Sequence, residues 1–331
     1  MLVFVKNKHG KSLMPCKPQK ARQLLQQKKA RIVGYNPFTI QLLYGSSGYK
    51  QSVNLGISLE ENYVGMAINS GTKIIAKGEI EFRNDVSKNL LTRKIYRRNR
   101  RTRKTRYRKP KFLNRKKFKK EGWLPPSIYS KMNNTFMWID KFVNVLPNPT
   151  IFLTFALGNA KSKFRKESTY ISIIHSKIQE KYLNINIVHN NTVITTRKLL
   201  NLSKSCYNNA IAVIPIKQIE QNNGTIFKIK QFRKKKRSLH EATARKGRKQ
   251  PNITQKRNCK NTKCSHGFYL NDKVKVFNKI GFISGFYNYG CYVKDIQGKY
   301  ITIPNKTYKQ VSFKHLEFLN HNNNWQFISS L

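Results

Sequence analysis

The stretch VNLGISLEENYVGMAI, residues 53–68, reads as two β-strands around a short polar turn, Glu60-Glu61-Asn62. Strand–turn–strand units of this kind often place a metal-binding acid at the end of the first strand. Here that position holds Ser58. The unit is therefore a structural hairpin, a site with unusual ligands, or a site that has lost its chemistry.

Working outward, SVNLGIS, YVGMAIN and TKIIAKGEIEF predict a three-stranded antiparallel meander over residues 52–82. Downstream, Pro125 and Pro126 suit a helix start, and Ile128, Met132, Phe136, Ile139 and Val143 line its apolar face. PTIFLTFAL is an unbroken apolar strand, expected to be buried on both faces. A helix around Ile171–Tyr182, the short strand INIVHN, and helices over TVITTRKLLNL and SKSCYNNAIAVIPI follow. Three antiparallel strands, helix, strand, helix, strand, helix is the plan of a ribonuclease-H-like domain, a mixed α/β sheet covered by helices.

Residues 1–50 predict a small separate unit. LVFV is a strand, KSLMPCKPQKARQLLQQKKA a two-proline turn leading into a helix, and RIVG and FTIQLLY are strands. Residues 217–271 read as a basic linker. From Asp272 onward DKVKVF, IGFISGF, GCYVKDI, KYITIP and QVSFKHL are five short strands with Gly, Asn and Asp turns, the spacing of a small SH3-like barrel.

Charge dominates the composition: 66 Lys and Arg face 14 Asp and Glu across 331 residues, a formal +52. Self-repulsion on that scale opposes compaction, and soluble surfaces ordinarily mix both signs. Nucleic acid is the expected partner, with an anionic membrane surface the weaker alternative. No apolar run nears the roughly 20 residues needed to span a bilayer. MLVFVKNKHG is too short in its apolar part for a signal peptide. Five thinly spread cysteines point to a reducing, intracellular compartment. Abundant Lys, Asn and Ile suit an AT-rich genome, hence an organelle (chloroplast or mitochondrion) or an AT-rich bacterial cytoplasm.

Between Arg93 and Lys120, 17 of 28 residues are Lys or Arg. A long helix is expected up to about Arg108, before Pro110. Arg97, Arg98, Arg100, Arg101, Arg103 and Arg106 point to several sides of it, and Arg93, Tyr107, Arg108 and Arg115 join them as candidate nucleic-acid contacts. A helix charged all round has no core face, so it lies in solvent or is surrounded by polyanion. Guanidinium forks bind phosphate bidentately, and aromatic rings stack on bases. Arg233, Lys234, Lys235 and Arg237 extend the basic character within FRKKKRSLH. Cys259, Cys264 and His266 form C-x4-C-x-H, three ligands where a structural zinc takes four, so no metal is expected there. Two-metal phosphodiester cleavage needs converging acids. The sheet region offers only Glu60, Glu61, Glu79, Glu81 and Asp85, and Glu60–Glu61 reads as a solvated turn.

GKSLMPCKPQKARQLLQQKKARIVGYNPFTIQLLY resembles the PLMP-type N-terminal domain of the IscB proteins and their HNH-lacking relatives, the IsrB proteins. These are transposon-encoded, RNA-guided nucleases. The resemblance runs on through LGI-x6-GMA, EIEFRND, the arginine-rich bridge helix, NRKKFKKEGWLPPS and FRKKKRSLH to the terminal barrel. It implies a PLMP-like RNA-binding domain (1–50), RuvC-like segment I (51–83), a bridge helix (84–120), and RuvC-like segments II and III without an HNH insertion (121–216). A basic linker (217–271) and a target-motif-interaction-like barrel (272–331) complete it. The departures are informative. Where the family has Asp after L-G-I, this chain has Ser58. Thr154 stands for the Glu of the TIFLTF strand. The third segment, S-H-x-x-D-A in the family, reads SCYNNA, with Cys206 for His and Asn209 for Asp.

Ser, Thr and Asn are neutral and cannot offset the charge of Mg²⁺. The resemblance therefore implies a ribonucleoprotein subunit that binds a structured, guide-like or other noncoding RNA without cleaving, with target DNA and partner proteins as further partners and no catalytic metal. The alternatives are a structural or RNA-processing protein of a splicing or ribosome-associated particle with no DNA target, and a residual nickase using Glu60 or Glu61.

Overall fold

The computed structural model describes residues 2–45, 47–48, 50–102, 124–155, 166–182, 184–222, 226–232, 264–287, 289–304, 306–322 and 324–330. The chain divides into two units, Met1–Phe82 with Leu124–Ile229 and Phe327–Leu331, and Arg83–Trp123 with Lys230–Gln326.

The first unit opens with β1 (Val3–Lys6), β2 (Ser12–Cys16), α1 (Pro18–Gln26), β3 (Ala30–Tyr35) and β4 (Phe38–Leu42). They build a four-stranded sheet in the order β2-β1-β4-β3, with β1 and β4 parallel and the other pairs antiparallel. Pro18 starts α1, where a missing N–H leaves no helical bond unmade, and Ala21 and Leu24 form its buried face. The segment expected to be a two-proline turn is instead partly strand. Pro15 is tolerated in β2 because β2 is an edge, where only one side of the backbone needs a ladder.

The expected meander follows as β5 (Asn54–Leu59), β6 (Tyr63–Ser70) and β7 (Lys73–Glu81). After it comes α2 (Val86–Thr102), which belongs to the second unit. The helix expected to continue to Arg108 leaves the described residues at Thr102. The first unit resumes with α3 (Pro126–Val143), β8 (Thr150–Phe155), α4 (Lys166–Lys181), β9 (Ile185–His189), α5 (Asn190–Leu199) and α6 (Cys206–Val213). Two further strands, β10 (Gln221–Asn222) and β11 (Ile226–Gln231), lie in the segment expected to be a basic linker. The sheet order is β19-β11-β7-β6-β5-β8-β9, where β19 is the last strand of the chain, Trp325–Ser330; β10 also pairs with β7. Pairings among β5, β6 and β7 are antiparallel, while β8 runs parallel to β5 and β9 parallel to β8. The fold is thus mixed α/β, and β5 through α6 follow the order read from the sequence, while β10, β11 and β19 were not foreseen.

Why β11 joins this sheet is visible in its side chains. Phe227 stacks on Phe142 of α3 at 5.2 Å between centroids and on Phe327 of β19 at 6.2 Å. Trp138 stacks on Phe327, and Phe4 of β1 meets Phe142 edge-on, each at about 6.4–6.5 Å. All five rings are buried. Gly78 of β7 makes room, because a Cβ there would lie 2.1 Å from the Phe227 carbonyl oxygen. Lys228 and Lys230 alternate with the buried Phe227 and Ile229, and that lysine content hid a half-buried strand inside a basic run.

In the second unit, β12 (Cys264–Ser265) and β13 (Phe268–Tyr269) form a small antiparallel ribbon. They precede β14 (Lys273–Val276), β15 (Lys279–Tyr287), β16 (Gly290–Lys294), β17 (Gln310–Ser312) and β18 (Glu317–Asn320). The sheet order is β17-β16-β15-β14-β18, entirely antiparallel, with a 3-10 turn at Phe313–His315 before β18. Val274, Val276, Ile283, Cys291, Val293, Ile301 and Val311 form its core. Two expectations are corrected here. KYITIP is no strand, since only Tyr300 bridges to Lys294, and EFLN takes the fifth place in the sheet. Among the described residues no helix is long and apolar enough to cross a membrane.

The aromatic stack sets a stability test. Phe227→Ala should lower unfolding free energy by roughly 3–5 kcal/mol, the range for a fully buried aromatic. Urea unfolding followed by far-UV circular dichroism measures it. A loss below about 1 kcal/mol would mean that β11 is held by its backbone ladder alone.

Candidate functional site

Alternation along β5 sends Leu55 and Ile57 to one face and Gly56 and Ser58 to the other. The second face carries α6. Gly56 and Gly65 have no side chain there for a structural reason: a Cβ at Gly56 would lie 2.1 Å from the Ala210 carbonyl oxygen, and one at Gly65 would lie 2.0 Å from that of Cys206. The first turn of α6 therefore rests on the sheet beside Ser58, whose register partner is Gly65. Ser205 caps this turn by accepting a bond from the Asn208 N–H at 3.2 Å.

Three of the four positions singled out in the sequence converge on one stretch of β5 backbone. The Thr154 hydroxyl donates to the Ile57 carbonyl at 3.2 Å, and the Cys206 thiol points at the Ser58 carbonyl at 3.7 Å. Ser58, Thr154 and Cys206 are all buried. Burial pushes the Cys206 thiol well above its usual range, and the nearby carboxylates of Glu60 and Glu79 push it further. A thiol held protonated is neither a nucleophile nor a metal ligand.

The fourth position, Asn209, lies one turn along α6 and joins two charged groups. The Arg197 guanidinium of α5 donates to Asn209 Oδ1 at 2.7 Å, and Asn209 Nδ2 donates to Glu60 Oε1 at 3.3 Å. Cation, amide and carboxylate thus form a chain. Glu60 is not the free solvated turn residue expected; its backbone N–H also donates to the Tyr63 carbonyl. Glu79, the register partner of Gly65 on β7, faces Lys228 at 3.4 Å. Lys77 is buried, with its ammonium 5.8 Å from the Tyr207 ring, and desolvation lowers its pKa.

Sequence reasoning missed Arg197 and Lys77, and it listed Glu79 only as one of the few acids of the sheet region. Arg197 sits in the ordinary-looking helix TTRKLL, and only the fold brings it beside Asn209. Lys77 and Glu79 are an unremarkable lysine and glutamate until the register places them on the α6 face.

Asp85, held by Arg83 at 2.8 Å and by Asn89 at 2.6 Å, precedes the first turn of α2, where a carboxylate complements the helix dipole. Arg93, Arg97 and Arg98 are exposed on α2, and Arg100 and Arg101 belong to the same helix. Arg103, Arg106, Tyr107, Arg108, Arg115, Arg233, Lys234, Lys235, Arg237 and Cys259 lie outside the described residues. Cys264 is exposed, and the His266 ring stacks on Phe313 at 4.3 Å. Among the described residues no three His, Cys, Asp or Glu side chains gather as a metal-holding group.

Thiol chemistry tests the packing of α6. With native protein at pH 8, iodoacetamide should label exposed Cys264 while sparing Cys206 and also Cys291, whose buried thiol is pushed up to about 12. Peptide mass spectrometry reads the order. Labelling of Cys206 as fast as Cys264 would mean that α6 lifts from the sheet.

Comparison with known proteins adds two likenesses. No curated protein matches the chain. Among solved structures, T. thermophilus RuvC in complex with Holliday junction substrate aligns with a TM-score of 0.26 and 8% identity, over 49% of this chain and 90% of that one. Residues 3–156 match the family model described as RRXRR protein, a span that runs from β1 through β8 and includes Ser58, Thr154 and the run Arg97-Arg98-Asn99-Arg100-Arg101.

Proposed function

We propose that this protein is a nuclease-dead relative of RuvC-like nucleases that forms a ribonucleoprotein, binding a structured RNA and reading nucleic-acid targets through it without cleavage. The observation that carries this reading is the Arg197–Asn209–Glu60 chain, which sets a guanidinium among the positions where the resemblance expects acids. The donor set does not fit a pair of divalent cations. Ser58 and Thr154 offer neutral hydroxyls, Cys206 a protonated thiol, and Asn209 an amide already occupied on both sides. A hard cation needs several anionic oxygens.

The strand order β7-β6-β5-β8-β9, antiparallel then parallel, favours a ribonuclease-H-like core. In the second unit, the order β18-β14-β15-β16-β17 with a 3-10 turn before the last strand favours an SH3-like barrel. A match to the RRXRR family over residues 3–156 and the formal charge of +52 support a polyanionic partner. In the guided mode, base pairing reads sequence while the protein reads shape and backbone.

The test is to purify the protein from its own cells and sequence the bound RNA. A single RNA species with a segment complementary to DNA is expected. A fixed RNA without such a segment would assign the protein to a structural or RNA-processing particle instead. The same ribonucleoprotein, incubated with Mg²⁺ and matched DNA, should bind without nicking. Nicking that vanishes in Glu60→Ala would overturn the loss of catalysis. Replacing Arg93, Arg97 and Arg98 together with Gln should weaken RNA binding and reduce the slope of log affinity against log salt by roughly 2–3, about 0.7–0.9 per lost phosphate contact.

A further inference from the structure

The sheet of the second unit carries an outer face rich in tyrosine and lysine. On β16, Cys291 and Val293 turn into the core, so Tyr292 and Lys294 turn outward. Across the sheet Tyr292 pairs with Gly285 of β15 and Gln310 of β17, and Tyr287 pairs with Gly290. The chain then makes a tight turn. Asp295 accepts the Lys299 N–H with its side chain at 2.8 Å and the Gly298 N–H with its carbonyl at 3.1 Å, with Gly298 at φ 92°. The Ile301 N–H donates to the Val293 carbonyl at 2.9 Å, and Ile301 is buried. With Ile301 inward, its neighbour Tyr300 is left on the outer face.

Four tyrosines consequently share one surface. Tyr292 lies 5.7 Å from Tyr287 and 6.2 Å from Tyr300 between ring centroids. Tyr308 stands close by; after burial, Cys291, Tyr292 and Tyr308 raise the Tyr287 phenol. Exposure is high for side chains of this size, 39% for Tyr300 and 48% for Tyr308, and 81% for Tyr289 in the preceding turn. Lysines attend the rings. Lys294 and Lys309 lie 4.4 and 5.0 Å from the Tyr300 centroid, and Lys306 lies 5.4 Å from that of Tyr308.

Among the described residues of this sheet the acids are engaged elsewhere. Residues 264–326 hold three acids against eight lysines. Asp272 is buried and bonded by Tyr269, His321 and Asn322, Asp295 is engaged in its own turn, and Glu317 faces Lys275 at 3.3 Å. Exposed Tyr300 and Tyr308, each with an ammonium beside the ring that could reach a phosphate, match the recognition of unpaired nucleotides. A duplex is a poor fit, because its bases are already stacked. The lysines now resting on the ring faces are held by surface cation–π contacts, among the weaker interactions a protein makes. They can swing to phosphates and leave the faces to bases.

We infer that the outer face of this sheet, centred on Tyr300 and Tyr308 with Lys294 and Lys309, binds single-stranded nucleic acid by stacking its bases. This rests on the reading of the protein as a nucleic-acid binder, and the experiment separates the two. The intact 331-residue chain is titrated with fluorescent twelve-residue oligo(U), oligo(dT) and a twelve-base-pair duplex. Tyr300→Ala and Tyr308→Ala should each weaken single-strand binding roughly five- to hundredfold while leaving duplex binding unchanged, and Tyr300→Phe should retain it. Lys309→Gln should lower the single-strand salt slope by about 0.7. Because other basic segments also attract the oligomers, a second measurement locates the contact: 4-thiouridine-substituted oligo(U) should cross-link to peptides containing Tyr300 or Tyr308. Wild-type binding with no loss in either alanine variant and cross-links elsewhere would overturn this inference and leave the proposed function standing. Failure of the wild type to bind any of the three probes would overturn both.

Discussion

Everything at the candidate site depends on how closely α6 approaches the sheet. Two glycines set that distance. Any side chain at Gly56 or Gly65 would collide with a helix carbonyl, at Ala210 or Cys206. Clashes with backbone cannot be relieved by a rotamer change, so the helix would have to move as a body. Because it does not, Cys206 reaches the Ser58 carbonyl and Asn209 reaches Glu60. The same proximity brings Arg197 of α5 into the network, since α5 packs against α6. A network of buried neutral donors and one bridged ion pair satisfies polar groups that would otherwise be stranded beneath a helix.

On the opposite side of the sheet, aromatic packing takes the place of polar bonding. Phe142, Phe227 and Phe327 come from a helix, an internal strand and the last strand, yet they form one stack. That stack explains a topology with strands far apart in the chain lying side by side. These distant segments of the first unit meet chiefly through rings, which suits a molecule whose charges are mostly of one sign, 66 basic against 14 acidic.

Most of the sheet was legible from period and length. The meander of residues 52–82, the buried strand at PTIFLTFAL and the helices after it stand where their apolar patterns put them. What escaped were elements whose pattern is overwritten by another signal. SLMPC looked like a turn because of Pro15, although an edge strand accepts proline. IFKIKQ looked like linker because lysines interleave its two core residues. KYITIP looked like a strand through its β-branched residues, but its backbone is spent on a turn that returns Tyr300 to β16. At the site, Ser58, Thr154, Cys206 and Asn209 were legible as positions. Arg197 was not, because nothing local marks a helical arginine that meets its partner twelve residues away.

That arginine decides what an acid at position 209 would do. With Arg197 already hydrogen-bonded to Asn209, a change of Asn209 to Asp would not simply create a cation ligand. The new carboxylate would meet a guanidinium first, and an ion pair would form where a cation was wanted. An acid placed at position 209 alone would therefore be neutralised where it stands, and it would be free for a cation only if Arg197 were replaced with it. The guanidinium works as a latch on that position.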